Sequence, residues 1–441
     1  MISSEISNNR LLRLLRGKIA KNASDIKLMK STLYCGSQVT RQGVGTVPAV
    51  YVLANNIDAK FYGTTTCKNA WFCPSCSAKV MAKYAAEIAC ATEAIKQYKN
   101  QVACMITFTI PHTSGMKCEE TADILFDTWK AFNVRGNHNL KTKWNQKDPF
   151  ASFCEEFNCK HRIRVGEFTW GDNGWHPHFH CLFFVDKAKL QKVIKWQELL
   201  NNRWYTLARR QTIKKWNKLF PDQKDKNKIR ADIMYDKMDK AGSKGCYISV
   251  DKDGKVIEQK SSMYICGWGA DRELTGNYQN KATNEGHMSP QQILQKAEDT
   301  SGEEREKWLD LYMEYARATR NSKRRRISFG QSGIKAMIAK WKLTNAYKEV
   351  VAKKNSDLVQ NGVGFWKVVC WFTESQWLQI CWLDRTIPIK QAILEAALCE
   401  DAREIIKNTL EQYDIYLTDD NNELGRFVWK QAQFIENMLT A

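Results

Sequence analysis

The stretch RIRVGEFTWGDNGWHPHFHCLFF, residues 162–184, constrains the fold of this chain more than any other. Two runs rich in β-branched and aromatic residues flank GDNG, which is the pattern of a β-hairpin. A turn at Gly171–Gly174 places Trp170 opposite Trp175 and Glu167 opposite His178. Directly opposed residues point to one face with Cβ atoms about 5 Å apart, and the period-two rule adds His180 to that face. The register thus gathers one carboxylate and two imidazoles, a set that suits a divalent cation with open coordination positions. A polar stripe on a half-exposed strand is the alternative. The same donors also describe a non-haem iron oxygenase site. Pro177 has no N–H for the ladder and belongs at the strand's start or on an unpaired side. His176, the third histidine, is expected to lie beside the pair, against Trp175 or a bound partner.

The chain has 441 residues, 43% hydrophobic, enough for two or three domains and a sizeable core, and it carries a net charge of +19. That sign calls for a polyanionic partner, nucleic acid or an anionic membrane. No apolar run approaches the roughly 18 residues of a membrane span, so no membrane partner is expected. The N-terminus MISSEISNNRLLRLLRGKIAKN is charged throughout and is not a secretory signal. Fifteen cysteines, an odd number, fit buried thiols in a reducing cytoplasm with a subset holding metal. A cytoplasmic protein is expected.

FYGTTTCKNAWFCPSCSAKV places Cys67, Cys73 and Cys76 in a C-x5-C-x2-C arrangement. The CPSC knuckle suits tetrahedral Zn2+, and a fourth thiolate would close a structural site. Cys35, followed by Gly36, is the preferred fourth ligand. Cys90, on an apolar helix pattern, is the rival. The alternative is a set of unrelated buried thiols, and a redox pair lacks its βαβ context.

Along the chain, residues 1–30 read as a basic lead-in, 31–98 as a cysteine-rich zinc-binding segment ending in a helix, 99–288 as a mixed α/β region, and 289–441 as mainly helical. Ser77–Lys99 has helical periodicity, and VACMITFTIPH (102–112) reads as a buried strand stopped by Pro111. EETADILFDTWKAFN is a helix. KGCYISVDKDGKVIEQKS repeats the hairpin signature with DKDG as its turn.

Phosphate contacts are expected from basic helices. NNRWYTLARRQTIKKWNK interleaves Arg203, Arg209, Arg210, Lys214 and Lys215 with tryptophans, which suits backbone contact and base stacking. SKRRRIS adds Lys323, Arg324, Arg325 and Arg326. A solvated face is the alternative for either run.

Taken together, these motifs resemble the rolling-circle plasmid replication initiators of the HUH endonuclease superfamily, in the group with one catalytic tyrosine. The resemblance covers about residues 33 to 385. YCGSQV and TTCKNAWFCPSC are similar to the family's cysteine region, MITFTIPHTS to its first motif, and GEFTWGDNGWHPHFHCLFF to its metal motif. SSMYICGWGADRELTG with NKATNEGHMSPQQIL looks like the third motif, and WLDLYMEYARATRNSKRRRISFGQSGIKAM like the C-terminal signature. Two positions depart from the pattern. Lys260 stands where a glutamate often precedes the tyrosine, with Glu258 nearby, and Gly267 stands where a lysine commonly follows.

The resemblance implies an α+β fold: an HUH endonuclease domain with a central antiparallel sheet flanked by helices, a zinc-binding N-terminal segment and an α-rich C-terminal region. It implies a metal-dependent nickase in which Glu167, His178 and His180 hold Mg2+ or Mn2+ and Tyr264 is the nucleophile, with Tyr247 the competing candidate. Its partners would be plasmid origin DNA, as a single strand or hairpin nick site, and, since no Walker A sequence is present, a host helicase and DNA polymerase. A homo-oligomer is left open. A single-tyrosine transposase or conjugative relaxase would share the chemistry, whereas a non-catalytic zinc-dependent DNA-binding regulator would lack it.

Overall fold

The computed structural model describes residues 2–36, 49–54, 59–133, 148–240, 244–259, 287–320, 324–330, 333–345, 347–348, 367–373 and 376–377, together with 404, 407–408 and 411–412. Lys260, Tyr264, Gly267 and Lys323 lie outside the described residues. The chain divides into two units, residues 70–344 and residues 1–69 with 345–441.

The larger unit is built on a five-stranded antiparallel sheet. Its strands are β3 (Gln101–Thr109), β4 (Arg162–Gly171), β5 (Gly174–Asp186), β6 (Cys246–Ile248) and β7 (Ile327–Ser328), in the order β6-β3-β5-β4-β7. β3 is buried along almost its whole length, and the central β5 is buried at most positions. That is why both read as near-continuous apolar runs. Helix α3 (Pro74–Lys99) starts with Cys73 as an extended N-cap and Pro74 in its first turn, three residues before the periodicity alone suggests. It ends at Asn100, whose left-handed φ of 51° turns the chain directly into β3.

Alternation sorts the sheet into two faces. Val102, Cys104, Ile106, Phe108, Phe179, Cys181 and Phe183 point to one face. There they meet α4 (Cys118–Asn133), α5 (Pro149–Glu156) and α6 (Gln197–Leu219) through Phe132, Phe150, Phe153 and Trp204. Phe108 touches Phe132 and Trp204 with ring centroids 5.1 and 4.8 Å apart, so the aromatic contacts add to the area buried. Ala103, Met105, Ile163, Val165, Leu182 and Phe184 face the other way, against Met81, Ile88 and Ile95 of α3 and Ile334 and Ile338. His178 and His180 continue this second face toward the turn.

The remaining described helices of this unit are α7 (Lys224–Lys240), α8 (Pro290–Asp299), α9 (Gly302–Thr319) and α10 (Ile334–Lys342). α8 opens with a capping box in which Ser289 and Gln292 bond each other's backbone, and Pro290 sits in its first turn. Residues 187–196 form a 3-10 stretch that leads into α6. The DKDG segment does close a turn: Asp251 N bonds Lys255 O at 2.9 Å.

The smaller unit contains α1 (Ile2–Ala20), α2 (Ala23–Leu33) and a three-stranded antiparallel sheet in the order β2-β1-β8, from β1 (Ala49–Ala54), β2 (Ala59–Tyr62) and β8 (Lys367–Thr373). Asn22 caps α2 by accepting from the Ser24 and Asp25 amides. Leu11, Leu15 and Ile19 of the basic lead-in are buried, so that segment is part of a core. β1 and β2 lie within the cysteine-rich segment 31–98, and β8 lies within the C-terminal region read as mainly helical. AVYVLA and KVVCWFT carry the β-branched residues that favour a pleated surface. Their pairing spans more than 300 positions and lies beyond any local window. Among the described residues, no helix is long and apolar enough to cross a membrane.

Candidate metal centre

The β4–β5 hairpin has the register that its turn position predicts, with Trp170 opposite Trp175 and Glu167 opposite His178. Asp172 and Asn173 make the turn, and Gly174 takes a φ of +83°, where a Cβ would lie 3.1 Å from Ser114 Cα. Only glycine accepts that combination without strain. From this frame Glu167 Oε2 lies 3.2 Å from His178 Nε2 and 3.3 Å from His180 Nε2. Three donor atoms from two adjacent strands therefore converge on one point, which is the arrangement a cation needs.

Burial alone raises the Glu167 carboxyl, but the two imidazoles bonded to it outweigh that effect and hold it below the ordinary carboxylate range. Burial lowers His180, against the opposing pull of Glu167. An ionised carboxylate and a neutral imidazole are the forms that bind metal. Thr107 on β3 pairs with His180, and its Oγ1 lies 3.0 Å from His180 Nδ1. With Nε2 directed at a cation, Nδ1 carries the proton and Thr107 accepts it, fixing the ring's orientation. Sequence reading did not single out Thr107. The only local signal was that Thr107 and Thr109 break the apolar run of ACMITFTIPH.

The neighbourhood holds more histidines than the hairpin motif suggests. His176 continues the row, 5.2 Å from His178 between ring centroids. His112, just past β3, lies 4.9 Å from His176, and His287 lies 6.0 Å from it. Five of the chain's seven histidines thus collect at this end of the sheet. Tyr247 on β6 pairs with Thr107, which pairs with His180, so it shares the face of the site and is 41% exposed.

Of the expected zinc ligands, Cys35 and Cys67 belong to the smaller unit, and Cys73 and Cys76 open the larger one. Gly36 turns the chain after Cys35 with φ +77°, and the Cys67 amide donates to Cys35 Sγ at 3.4 Å. Cys73 is the N-cap of α3 and Cys76 sits in its first turn, where the helix N-terminus stabilises thiolate. Cys90 lies farther along α3, packed against the core under that helix.

The basic runs are divided in their use. Arg203 pairs with Asp148 at 2.5 Å, Arg209 with Asp232 at 2.5 Å and Lys215 with Asp123 at 2.6 Å. Arg324 is buried and also pairs with Asp123, while Arg326 lies over the Trp71 ring and donates to Ala70 O. Arg210, Lys214 and Arg325 face solvent. Of the tryptophans expected to stack on bases, Trp204 serves the interior. Trp204 is fully buried and donates to Thr109 O at 2.6 Å, Trp196 donates to Glu156 at 3.1 Å, and Trp216 donates to Glu120. Trp204, inside the packed core, has no face free for a base, whereas Trp196 and Trp216 are only partly buried against it.

Comparison with known proteins found no matching family model and no matching solved structure. The chain is similar to Protein rep of Streptomyces lividans, 27% identical over 146 residues, covering 28% of this chain and 30% of that protein.

Proposed function

We propose that this protein is a metal-dependent DNA nicking-and-joining enzyme that initiates rolling-circle replication. The observation that carries it is the meeting of Glu167, His178 and His180 on one sheet face. The net charge of +19 and the likeness to Protein rep support a DNA substrate and a role at a plasmid origin. The HUH arrangement is read from this histidine pair on an internal strand of an antiparallel sheet with helices on both faces.

Mg2+ or Mn2+ held there would polarise the scissile phosphate and stabilise charge on its oxygens. Glu167 and the two imidazoles position that charge, and Thr107 holds His180 in the tautomer the task requires. A phenol has a pKa of about 10 and is a weak nucleophile without such help. The Tyr264 oxygen forms a bond to phosphorus as the bond from phosphorus to the 3′-oxygen breaks. The phenol proton is lost, and the departing 3′-oxygen takes one up. A 5′-phosphotyrosine and a free 3′-OH result, and the latter primes synthesis by a host polymerase on DNA opened by a separate helicase. The tyrosyl ester keeps the phosphodiester energy, so a later 3′-OH can rejoin the strand. Zn2+ at the four cysteines would brace the N-terminal part.

The test is a single-stranded origin oligonucleotide incubated with protein and Mn2+ and run on a denaturing gel. A covalent adduct made by wild type and Tyr247→Phe but absent in Tyr264→Phe is expected. Loss in Tyr247→Phe alone moves the nucleophile to that exposed tyrosine on the site's face. Tight binding with no adduct from wild type supports a non-catalytic regulator instead.

A further inference from the structure

His112, His176 and His287 come from three separate pieces of chain. His112 follows β3, and His176 lies on β5 with Thr109 Oγ1 3.3 Å from its Nε2. His287 precedes Met288, which exchanges backbone hydrogen bonds of 2.7 and 2.8 Å with Trp170 on β4. The backbone therefore anchors each ring independently, and none is held by its place in one motif.

Both ring nitrogens of His112 and Nδ1 of His287 are sealed from solvent without a well-formed hydrogen bond, the Ile110 carbonyl lying close to the His112 ring without completing one. Buried polar groups are nearly always satisfied, and an exception points to an absent water or ion. Glu167, the carboxylate of this region, is directed at His178 and His180. What the three rings present is thus a set of imidazole nitrogen donors with no carboxylate directed at them. Such donors favour a borderline divalent transition ion over Mg2+, which prefers oxygen.

We propose that His112, His176 and His287 form a further metal site for a borderline divalent transition ion such as Zn2+ or Co2+, next to the Glu167–His178–His180 site. Ligand nitrogens around a tetrahedral ion with bonds of about 2.0 Å sit roughly 3.3 Å apart. The rings of His112 and His287 lie 4.9 and 6.0 Å from that of His176 between centroids, so the nitrogens would have to draw closer when an ion binds. The ion would tie the chain entering at His287, directly after the stretch 260–286 that contains Tyr264, to β5 and the end of β3. The assignment rests on the imidazole cluster and not on the nicking reaction.

Co2+ titration of the full-length protein, with zinc already in the cysteine cluster, reads the site through visible d–d absorption. Wild type is expected to take up two equivalents, His112→Gln and His287→Gln one each, and Glu167→Ala one. Uptake of a single equivalent by wild type overturns the proposal, as does undiminished uptake by both histidine variants. Loss of an equivalent in Glu167→Ala alone leaves the first site standing and removes the second. Crystals of wild type soaked in Co2+ make the test independent of variant folding. An anomalous peak among the three rings supports the site, and its absence there overturns it.

Discussion

Glu167 and His178 face each other in register across β4 and β5, with Oε2 and Nε2 3.2 Å apart. Their pairing comes from a turn of fixed length, and a one-residue slip would send the two side chains to opposite faces. Removing the carboxylate should therefore leave the hairpin intact and abolish the site. Glu167→Gln is expected to weaken Mn2+ binding by about 100-fold or more, since even outer partners of metal ligands contribute 10- to 100-fold. Calorimetric titration with unchanged Mn2+ affinity would contradict the assignment.

Thr107 touches no metal in this scheme, yet its hydroxyl lies 3.0 Å from His180 Nδ1. Thr107→Val keeps the shape and removes the acceptor, leaving a buried ring N–H unsatisfied. A loss of about 10-fold or more in Mn2+ affinity is expected, with little change in far-ultraviolet dichroism. If valine binds as wild type does, Thr107 only fills space.

The legible part of this molecule was the part governed by short-range rules. Alternation, a glycine-flanked turn and counting were enough to bring Glu167 to His178 and His180. The CPSC knuckle announced itself in the same way, because Cys73 and Cys76 sit on one turn of a helix start. His112 and His287 were not legible, since each is a lone histidine whose neighbours arrive from distant segments. Trp204 of α6 was misleading for a related reason. A basic amphipathic helix exposes its cations and buries its aromatics, and spacing does not say whether an indole faces DNA or Phe108. β8 was missed because its partner β1 lies more than 300 positions away.

The four-cysteine group should be separable from the other buried thiols by composition alone. Cys73→Ser and Cys76→Ser are each expected to reduce bound zinc from about one equivalent to none and to lower thermal stability. Cys90→Ser, altering a residue packed against the core, should retain zinc. Elemental analysis showing zinc lost with Cys90 and kept without Cys73 would reverse the assignment.

Stability in metal-free protein should fall on mild acidification. Burial lowers His112 to about 4, reinforced by nearby His287, and burial lowers His176 to about 2. Unfolded, both titrate near 6.5. Between those values the unfolded chain binds more protons, so the stability is fully present above about pH 6.5 and is lost as pH falls toward 4. For His112 the contribution is on the order of 3 kcal/mol at most. The urea midpoint of wild type should fall more steeply than that of His112→Leu between pH 7 and pH 5. Parallel curves would show that His112 is not buried neutral.

Adjacent arginines should behave in opposite ways. Arg324 is buried against Asp123, which also accepts from Lys215, whereas Arg325 is exposed. Asp123→Asn leaves a buried guanidinium without its counter-charge and should cost about 3 kcal/mol in denaturant unfolding. Arg325→Ala should cost less than about 0.5 kcal/mol. In DNA binding the order inverts. Arg210→Ala, Lys214→Ala and Arg325→Ala should each weaken binding uniformly across sequences and reduce the slope of log K against log salt by about one. A slope unchanged in all three would place the DNA on another surface, and a stable, fully folded Asp123→Asn would mean that Arg324 finds solvent when its partner is lost.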